Sequence, residues 1–405
     1  MERTRGPKGA AATTPMQFHS ALATGAELEA ACRQAAATIR QGLGAGPIDV
    51  VMVFASPRYG ANIDRLPVLM HDLLGARTQF GCSGAAVADR AQVLENRHAI
   101  AVLAGRLPGA HVDAVAIGTG DLPDADGPPT AWRQLLPAPA ATRRGMVVLC
   151  EPFHFDAKAL LVGLDFGFPG LTKVGGIASG SRHPEGNTLF VGRTTYRSGA
   201  VVASFAGNVV LDAVVAQGCR PIGRPGRVTK VDRNRLLTVD HRPARTFVEE
   251  QLAQLPQSDL ELAEQSPLYL GIASNPFLNS QPCPGDFLIR NILGVDANGD
   301  LVVTEHLRIG RQVQLHLRDA ASGAEDLRQQ LRRAKPATAT AGLMFRCLGR
   351  EGPDHAQFTA QAPGVPLAGL HCNGEIGTVG DSAHLHAYTA AFALLRPRHG
   401  GADGS

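Results

Sequence analysis

Residues 369–380, "GLHCNGEIGTVG", set a histidine and a cysteine beside an asparagine and a glutamate, among closely spaced glycines. A thiol acts as a nucleophile when a base lies within hydrogen-bond reach and a third group orients that base. The same glycines would equally suit a backbone cradle for a small ligand, or a tight turn between strands. His371 is a poor base for Cys372, because adjacent strand residues point to opposite faces. His384 and His386 share one face of the next predicted strand and could approach it. A free cysteine is more often buried, inert packing. Cys347, His371, Cys372, His384 and His386 match no zinc-ligand spacing, so no metal is expected. "GGIASG" at 175–180 lacks the Gly-Lys-Ser/Thr of a phosphate loop and leads into a strand, so no nucleotide cofactor is expected.

Further candidates sit where strands end. Arg318 and Asp319 close the alternating stretch "RQVQLHLRD" just ahead of a helical pattern. Asp319 or Ser322 could cap that helix, while Arg318 could hold a carboxylate in a bidentate fork. Three apolar strands end in Ser56, Cys150 and Cys347, near Arg58, Glu151 and Arg350. If these strands lie side by side, their ends converge on one edge, a usual place for a ligand. Glycines repeat beside them, at 170, 175 and 180 and again at 364, 369 and 374, with a looser set at 75, 81 and 84. In that register Ser83, Ser179 and Asn373 precede the last glycine of each set, and Cys82, Ala178 and Cys372 come one position earlier.

The elements that would carry these residues recur. "GAELEAACRQAAATIRQGL" is helical, with Leu28, Cys32, Ala35 and Ile39 on one face. After it, residues near 48–120 and 145–207 read as two copies of a β-α-β-β-β unit, and "GLMFRCLGR" starts a third partial copy. Within the copies, "HAIAVLAGRL" and "HVDAVAIGTG" are expected to pair across the turn "PGA", and "NTLFVGRTTY" with "GAVVASFAG" likewise. "SAHLHAYTAAFALL" reads as one extended stretch, and "DLPDADGPPTAWRQLLPAPA" as a surface loop. One helix per unit is too few to cover a parallel sheet on both faces. The expected class is therefore α+β, with mixed, mostly antiparallel sheets covered by helices. The expected division is a disordered tail over 1–15, one domain over 16–240 and a second over 241–395, with the boundary at Asp240 to Pro243.

Composition excludes several classes. The net charge of +3 is spread without a basic stripe, so nucleic acid is not an expected partner. No apolar run approaches the roughly 18 residues of a membrane span, and no apolar segment follows the basic N-terminus as in a secretory signal. The seven cysteines form no C-x-x-C pair, which argues against a disulfide framework and for a reducing cytoplasm.

Taken together, several motifs resemble the FIST family (F-box and intracellular signal transduction). They are "GCSG" at 81–84, "VGGIASG" at 174–180, "GNVVLDAVVAQGCRPIG" at 207–223, "FLIRNILGVD" at 287–296, "GRQVQLHLRDA" at 310–320, "MFRCLGR" at 344–350 and "GVPLAGLHCNGEIG" at 364–377. The resemblance spans roughly 20–395. It implies paired N-terminal and C-terminal sensory domains that bind small ligands such as amino acids, and it implies no known catalytic set. Family C-terminal parts often read like "SCNGRG" where this chain has "RCLGRE", which puts one polar contact in doubt. No output segment is recognised, so signalling would pass to a separate protein. The expected ligand site comprises Cys82, Ser83, Ser179, Gly180, Arg318, Asp319, Cys347, Arg350, Asn373 and Glu375, with Glu375 suited to an α-amino group and Arg318 to an α-carboxylate. The alternatives are an enzyme acting on a small metabolite through Cys372 or Cys347, and an adaptor without a ligand.

Overall fold

The computed structural model describes residues 15–137, 142–274 and 287–398. Residues 1–14 of the expected tail over 1–15, and Cys283, lie outside the described residues. The fold is α+β, and among the described residues three strand pairings are parallel while the others are antiparallel.

Each parallel pair is a strand–helix–strand crossover: Val50–Ala55 with Thr78–Ser83, Arg143–Cys150 with Lys173–Ile177, and Ala341–Cys347 with Leu367–Cys372. A six-stranded sheet forms around each pair, and the three sheets share one order of pairing. An antiparallel strand flanks the first member of each pair: Ala99–Arg106, Ala200–Gly207 and Thr389–Arg396. The second member is flanked by a hairpin from another unit. Ala86–Asp89 joins the third sheet, Leu189–Val191 the first, and Glu375–Val379 the second. The exchange is cyclic, so each sheet is completed by the unit whose hairpin it receives.

This exchange changes two expected pairings. Ala99–Arg106 pairs with Gln17–Thr24 in the first sheet, whereas Ala110–Ile117 pairs with Ala200–Gly207 in the second. Leu189–Val191 and Thr194–Tyr196 form their own hairpin, and Ala200–Gly207 belongs to a different sheet. Likewise "SAHLHAYTAAFALL" is two strands, Ser382–His386 and Thr389–Arg396, broken at Tyr388 with φ 61°. Local alternation marks a strand but carries no information on which distant edge it meets.

The strands are apolar on both faces because both faces are covered. Val50, Met52 and Phe54 point into one central core with Leu149, Val201, Leu343 and Phe345. Val51, Val53 and Ala55 point outward beneath the helices Leu28–Leu43 and Leu66–Leu74. The helix Ala157–Gly167 covers the second sheet, and Ala320–Ala334 with Asp354–Gln361 covers the third. Part of the Pro-rich segment expected to be a loop is a helix, Pro129–Gln134. Its Trp132 is buried and lies so close to Gly163 that an added Cβ would sit 2.1 Å from the ring.

A second body interrupts the third unit between residues 219 and 318. Six of its strands close on themselves in the order Cys219–Asp232, Gln312–Arg318, Tyr269–Ala273, Phe287–Val295, Leu301–Val303 and Arg235–Val239, the last pairing back to the first. Closure removes the exposed edges of the barrel. Its interior is filled by Ile222, Leu236, Leu270, Leu301 and Leu315. The expected boundary at Asp240 to Pro243 falls within this body, where Val239 pairs with Arg242.

Candidate functional site

The glycine spacing acts first through geometry. Gly81, Gly175 and Gly369 each face the partner strand of their parallel pair, opposite Val53, Val148 and Met344. A Cβ at these positions would meet the facing carbonyl oxygen at 1.7, 1.8 and 2.4 Å. Only glycine allows the strands to approach so closely.

Beyond those glycines the three loops meet. Ser179 donates its backbone N–H to the Ser83 carbonyl at 3.1 Å, its hydroxyl donates to the His371 carbonyl, and its Oγ accepts from Ala85 N–H at 2.9 Å. One serine thus joins all three units. Asn373 completes the junction, donating from its backbone to Ile177 O and from its side chain to Ala178 O, both at 3.1 Å. Ser83 is closed in by Thr188, whose N–H donates to its Oγ at 3.0 Å. Cys82, Ser83 and Ser179 are wholly buried, whereas Asn373 is exposed.

Other expected site residues gather on the far side of the third unit. Cys347 and Cys372 are register partners on adjacent parallel strands. Cys372 Sγ lies 3.4 Å from Glu375 Oε1, and Thr389 donates to Oε2 from both its backbone and its hydroxyl. Burial raises the Glu375 carboxyl above the usual carboxylate range, and burial raises both thiols as well, with the neighbouring Glu375 adding to it. A raised thiol pKa suppresses the thiolate, the nucleophilic form. Glu375 has no exposed surface, and its partners are Thr389 and the two thiols rather than open space.

Arg318 donates to Gly349 O at 3.1 Å and pairs with Glu351 at 3.0 Å. Asp319 caps the helix Ala320–Ala334, accepting from the N–H groups of Ala321 and Ser322, and takes a further bond from Arg220 Nε at 2.8 Å. Arg350 is an internal clamp, donating to Asp354, Ala216 O and Gly323 O. Asp354 also receives Arg346 Nε at 2.7 Å. These groups are brought into one neighbourhood, and their donors and acceptors are largely used within the protein.

A cleft of about 520 Å³ opens beside the Ser179 junction. Its floor is made by Ser56, Ala85 and Gly180, and its rim carries Arg58, Arg182 and Glu95. Gly180, at φ 103°, sits against Pro57, where a Cβ would come within 2.4 Å of the ring. The side chains of Arg58, Arg182 and Glu95 have no hydrogen-bond or ion-pair partner among the described residues. Of the expected residues, only Gly180 lines this cleft. Arg58 was visible as the neighbour of a strand end, and Arg182 as the second residue past a glycine loop. Glu95 carried no local signal, because it reaches the cleft through the exchanged hairpin.

The chain belongs to the FIST family. The family model for the FIST N domain matches residues 49–242, and that for the FIST C domain matches residues 244–378. FIST domains are associated with signal transduction and small-ligand sensing. Among relatives, uncharacterized protein Rv0628c of Mycobacterium tuberculosis is 32% identical over 395 residues, covering 94% of this chain and 100% of the relative. Uncharacterized protein Mb0898c of Mycobacterium bovis is 34% identical over 260 residues, covering 62% and 67%. A solved cyanuric acid hydrolase chain covers 95% of this chain and 100% of its own, at 9% identity and a TM-score of 0.32. At that score the likeness bears on neither fold nor function. Among the described residues no helix is long and apolar enough to cross a membrane.

Proposed function

We propose that this protein is a sensory protein that binds a free amino acid or a related α-amino carboxylate in the cleft beside Gly180 and passes the signal to a separate protein. An amino acid presents opposite charges one carbon apart. Its site therefore needs an anion holder and a cation holder within a few ångströms. The observation that carries this reading is the set of Arg58, Arg182 and Glu95, without partners among the described residues, around one cleft, over a floor where all three units are joined. Guanidinium forks suit a carboxylate, and Glu95 suits an ammonium. A ligand seated there touches the first and second units directly, next to the serine that ties them to the third. The six described cysteines are free thiols, which supports a reducing, cytoplasmic setting.

A thermal-shift screen of the proteinogenic amino acids tests this. A ligand at 100 times its Kd adds about 2.7 kcal/mol to the folded state, a rise of roughly 5–11 °C for a domain of 150–250 residues. At least one compound is expected to give such a rise. Arg58→Ala and Arg182→Ala should abolish it, and Glu95→Gln should weaken it. Silence of every compound at millimolar concentration, or a hit that survives all three changes, would sink the reading.

A further inference from the structure

A second cleft, of about 400 Å³, lies where the barrel meets the three-sheet body. The helix Ala157–Gly167 of the second unit forms one wall, the hairpin strand Ser382–His386 another, and the barrel segment around residues 305–311 a third. Its charge is one-sided. Among the described residues Glu305 is the single carboxylate lining it, and that carboxylate is already shared: Lys158 Nζ approaches it at 2.5 and 2.6 Å and Arg290 Nε at 2.8 Å.

Two more guanidinium groups, Arg308 and Arg311, line the same space. Arg311 is half-buried and donates to the Ser274 carbonyl at 3.3 Å. Arg308 has no hydrogen-bond or ion-pair partner among the described residues. Burial lowers the Arg311 pKa, and repulsion from Arg308 lowers it further, so the two positive groups lie close enough to disfavour each other. His384 feels the same field: burial is the largest cause of its lowered pKa, nearby Asp165 opposes it, and Arg290 and Arg311 add to it. Asp165 does not neutralise the cleft, since Lys173 Nζ holds it at 2.7 Å and Ala383 N–H at 2.8 Å.

Like charges held in a concave, partly desolvated site raise the affinity for a counter-ion. Two guanidinium groups together match a group with several anionic oxygens better than a single carboxylate does. The rest of the wall is apolar, formed by Leu161, Ile272, Leu288 and Leu385, which favours a ligand with a carbon skeleton. We propose that this cleft binds a small organic dianion, a phosphorylated or dicarboxylic metabolite, through Arg308 and Arg311. Such a ligand bridges the FIST N match, which supplies Lys158 and Leu161, and the FIST C match, which supplies the arginines. Occupancy therefore fastens the barrel to the body, independently of the amino-acid cleft beside Gly180.

The test is calorimetric titration and thermal shift of the full chain at about pH 7.5 with glycerol phosphate, methyl phosphate and succinate, all dianions there, against sodium chloride at matched ionic strength. At least one dianion is expected to bind and to raise the melting temperature beyond the chloride control, and the comparison separates phosphoryl from dicarboxylate chemistry. Arg308→Glu, at an exposed position without a partner among the described residues, should leave ligand-free melting nearly unchanged. It should weaken binding by about tenfold or more, the loss of one charge-assisted contact. Arg308→Ala with Arg311→Ala should abolish binding, while Arg58→Ala should leave it intact. Absence of binding by all three dianions, equal stabilisation by chloride, or affinity unchanged in Arg308→Glu would each overturn the proposal.

Discussion

Around Asp354, two guanidinium groups meet one carboxylate: Arg346 and Arg350 both donate to it through Nε, Arg346 Nη2 and both Arg350 Nη atoms reach backbone carbonyls, and Arg346 Nη1 faces the His371 ring. Beside Gly180, Arg58 and Arg182 share a cleft with Glu95, and none of the three side chains has a partner among the described residues. The charges are the same, two guanidinium groups and one carboxylate, and the burial is opposite, since Asp354 is 2% exposed whereas Arg58, Arg182 and Glu95 are exposed. A buried charge must be fully paired for the chain to fold. An exposed charge is hydrated and remains free to exchange water for a ligand. The first arrangement is fitted to hold the third unit against Ala216 and Gly323, the second to recognise something from outside.

The comparison breaks most visibly at Asp354. Asp354→Ala leaves two enclosed guanidinium groups without their carboxylate, a loss of about 3–5 kcal/mol. Denaturant unfolding at neutral pH should show that loss. A change under about 1 kcal/mol would mean that water reaches the cluster and that it is not the clamp described here.

Much of this architecture was legible in the sequence, and the reasons differ from residue to residue. Gly81, Gly175 and Gly369 could be read because close strand approach forbids a Cβ, which leaves a mark at a fixed spacing. The apolar runs at Val50–Ala55 and Arg143–Cys150 signalled strands covered on both faces. The cyclic exchange of hairpins was not legible, because Ala86–Asp89 alternates in the same way whichever sheet receives it. Neither was the closed barrel, whose seam joins Cys219–Asp232 to Arg235–Val239 by register and not by composition. For the candidate site, Ser179 and Asn373 were singled out as neighbours, and they do lie at one junction. Their hydrogen bonds to carbonyls of other units could not be inferred from residue type. Arg58, Glu95 and Arg182 come from three separate segments, so no spacing rule could have grouped them.

Acid should sharpen the contrast between buried and exposed groups. Burial holds His371 and His386 down to about 3 and His316 to about 4. A depressed histidine contributes stability above its unfolded value near 6.5, and that stability is lost as pH falls toward the folded value. Glu375 has the opposite sign. Its raised pKa contributes stability at acidic pH, lost as pH rises through the folded value. Near pH 5.5 the unfolded chain gains about three protons on the histidines and loses about one from Glu375. From these four groups the slope is about 2–3 kcal/mol of lost stability per pH unit of acidification, and His355 and His384, also lowered by burial, add in the same direction. Glu375→Gln removes the opposing proton and should steepen that slope by about 1 kcal/mol per unit. Urea unfolding between pH 5 and 6.5 measures both slopes. Equal slopes in the two proteins would show that Glu375 titrates normally and is not enclosed as described.

The smallest expected effect is the most discriminating one. Arg58→Ala and Arg182→Ala remove side chains that have no partner among the described residues, so each should change unfolding free energy by no more than about 0.5 kcal/mol. The same two changes should eliminate an amino-acid-induced melting shift. Such a split between stability and binding is what separates a recognition cleft from a structural cluster, since at Asp354 the substitution is expected to cost stability itself. If either arginine variant loses 2 kcal/mol or more in the absence of ligand, the side chain is holding the loops together. The cleft beside Gly180 would then belong with the Asp354 clamp, and the distinction between the two regions would disappear.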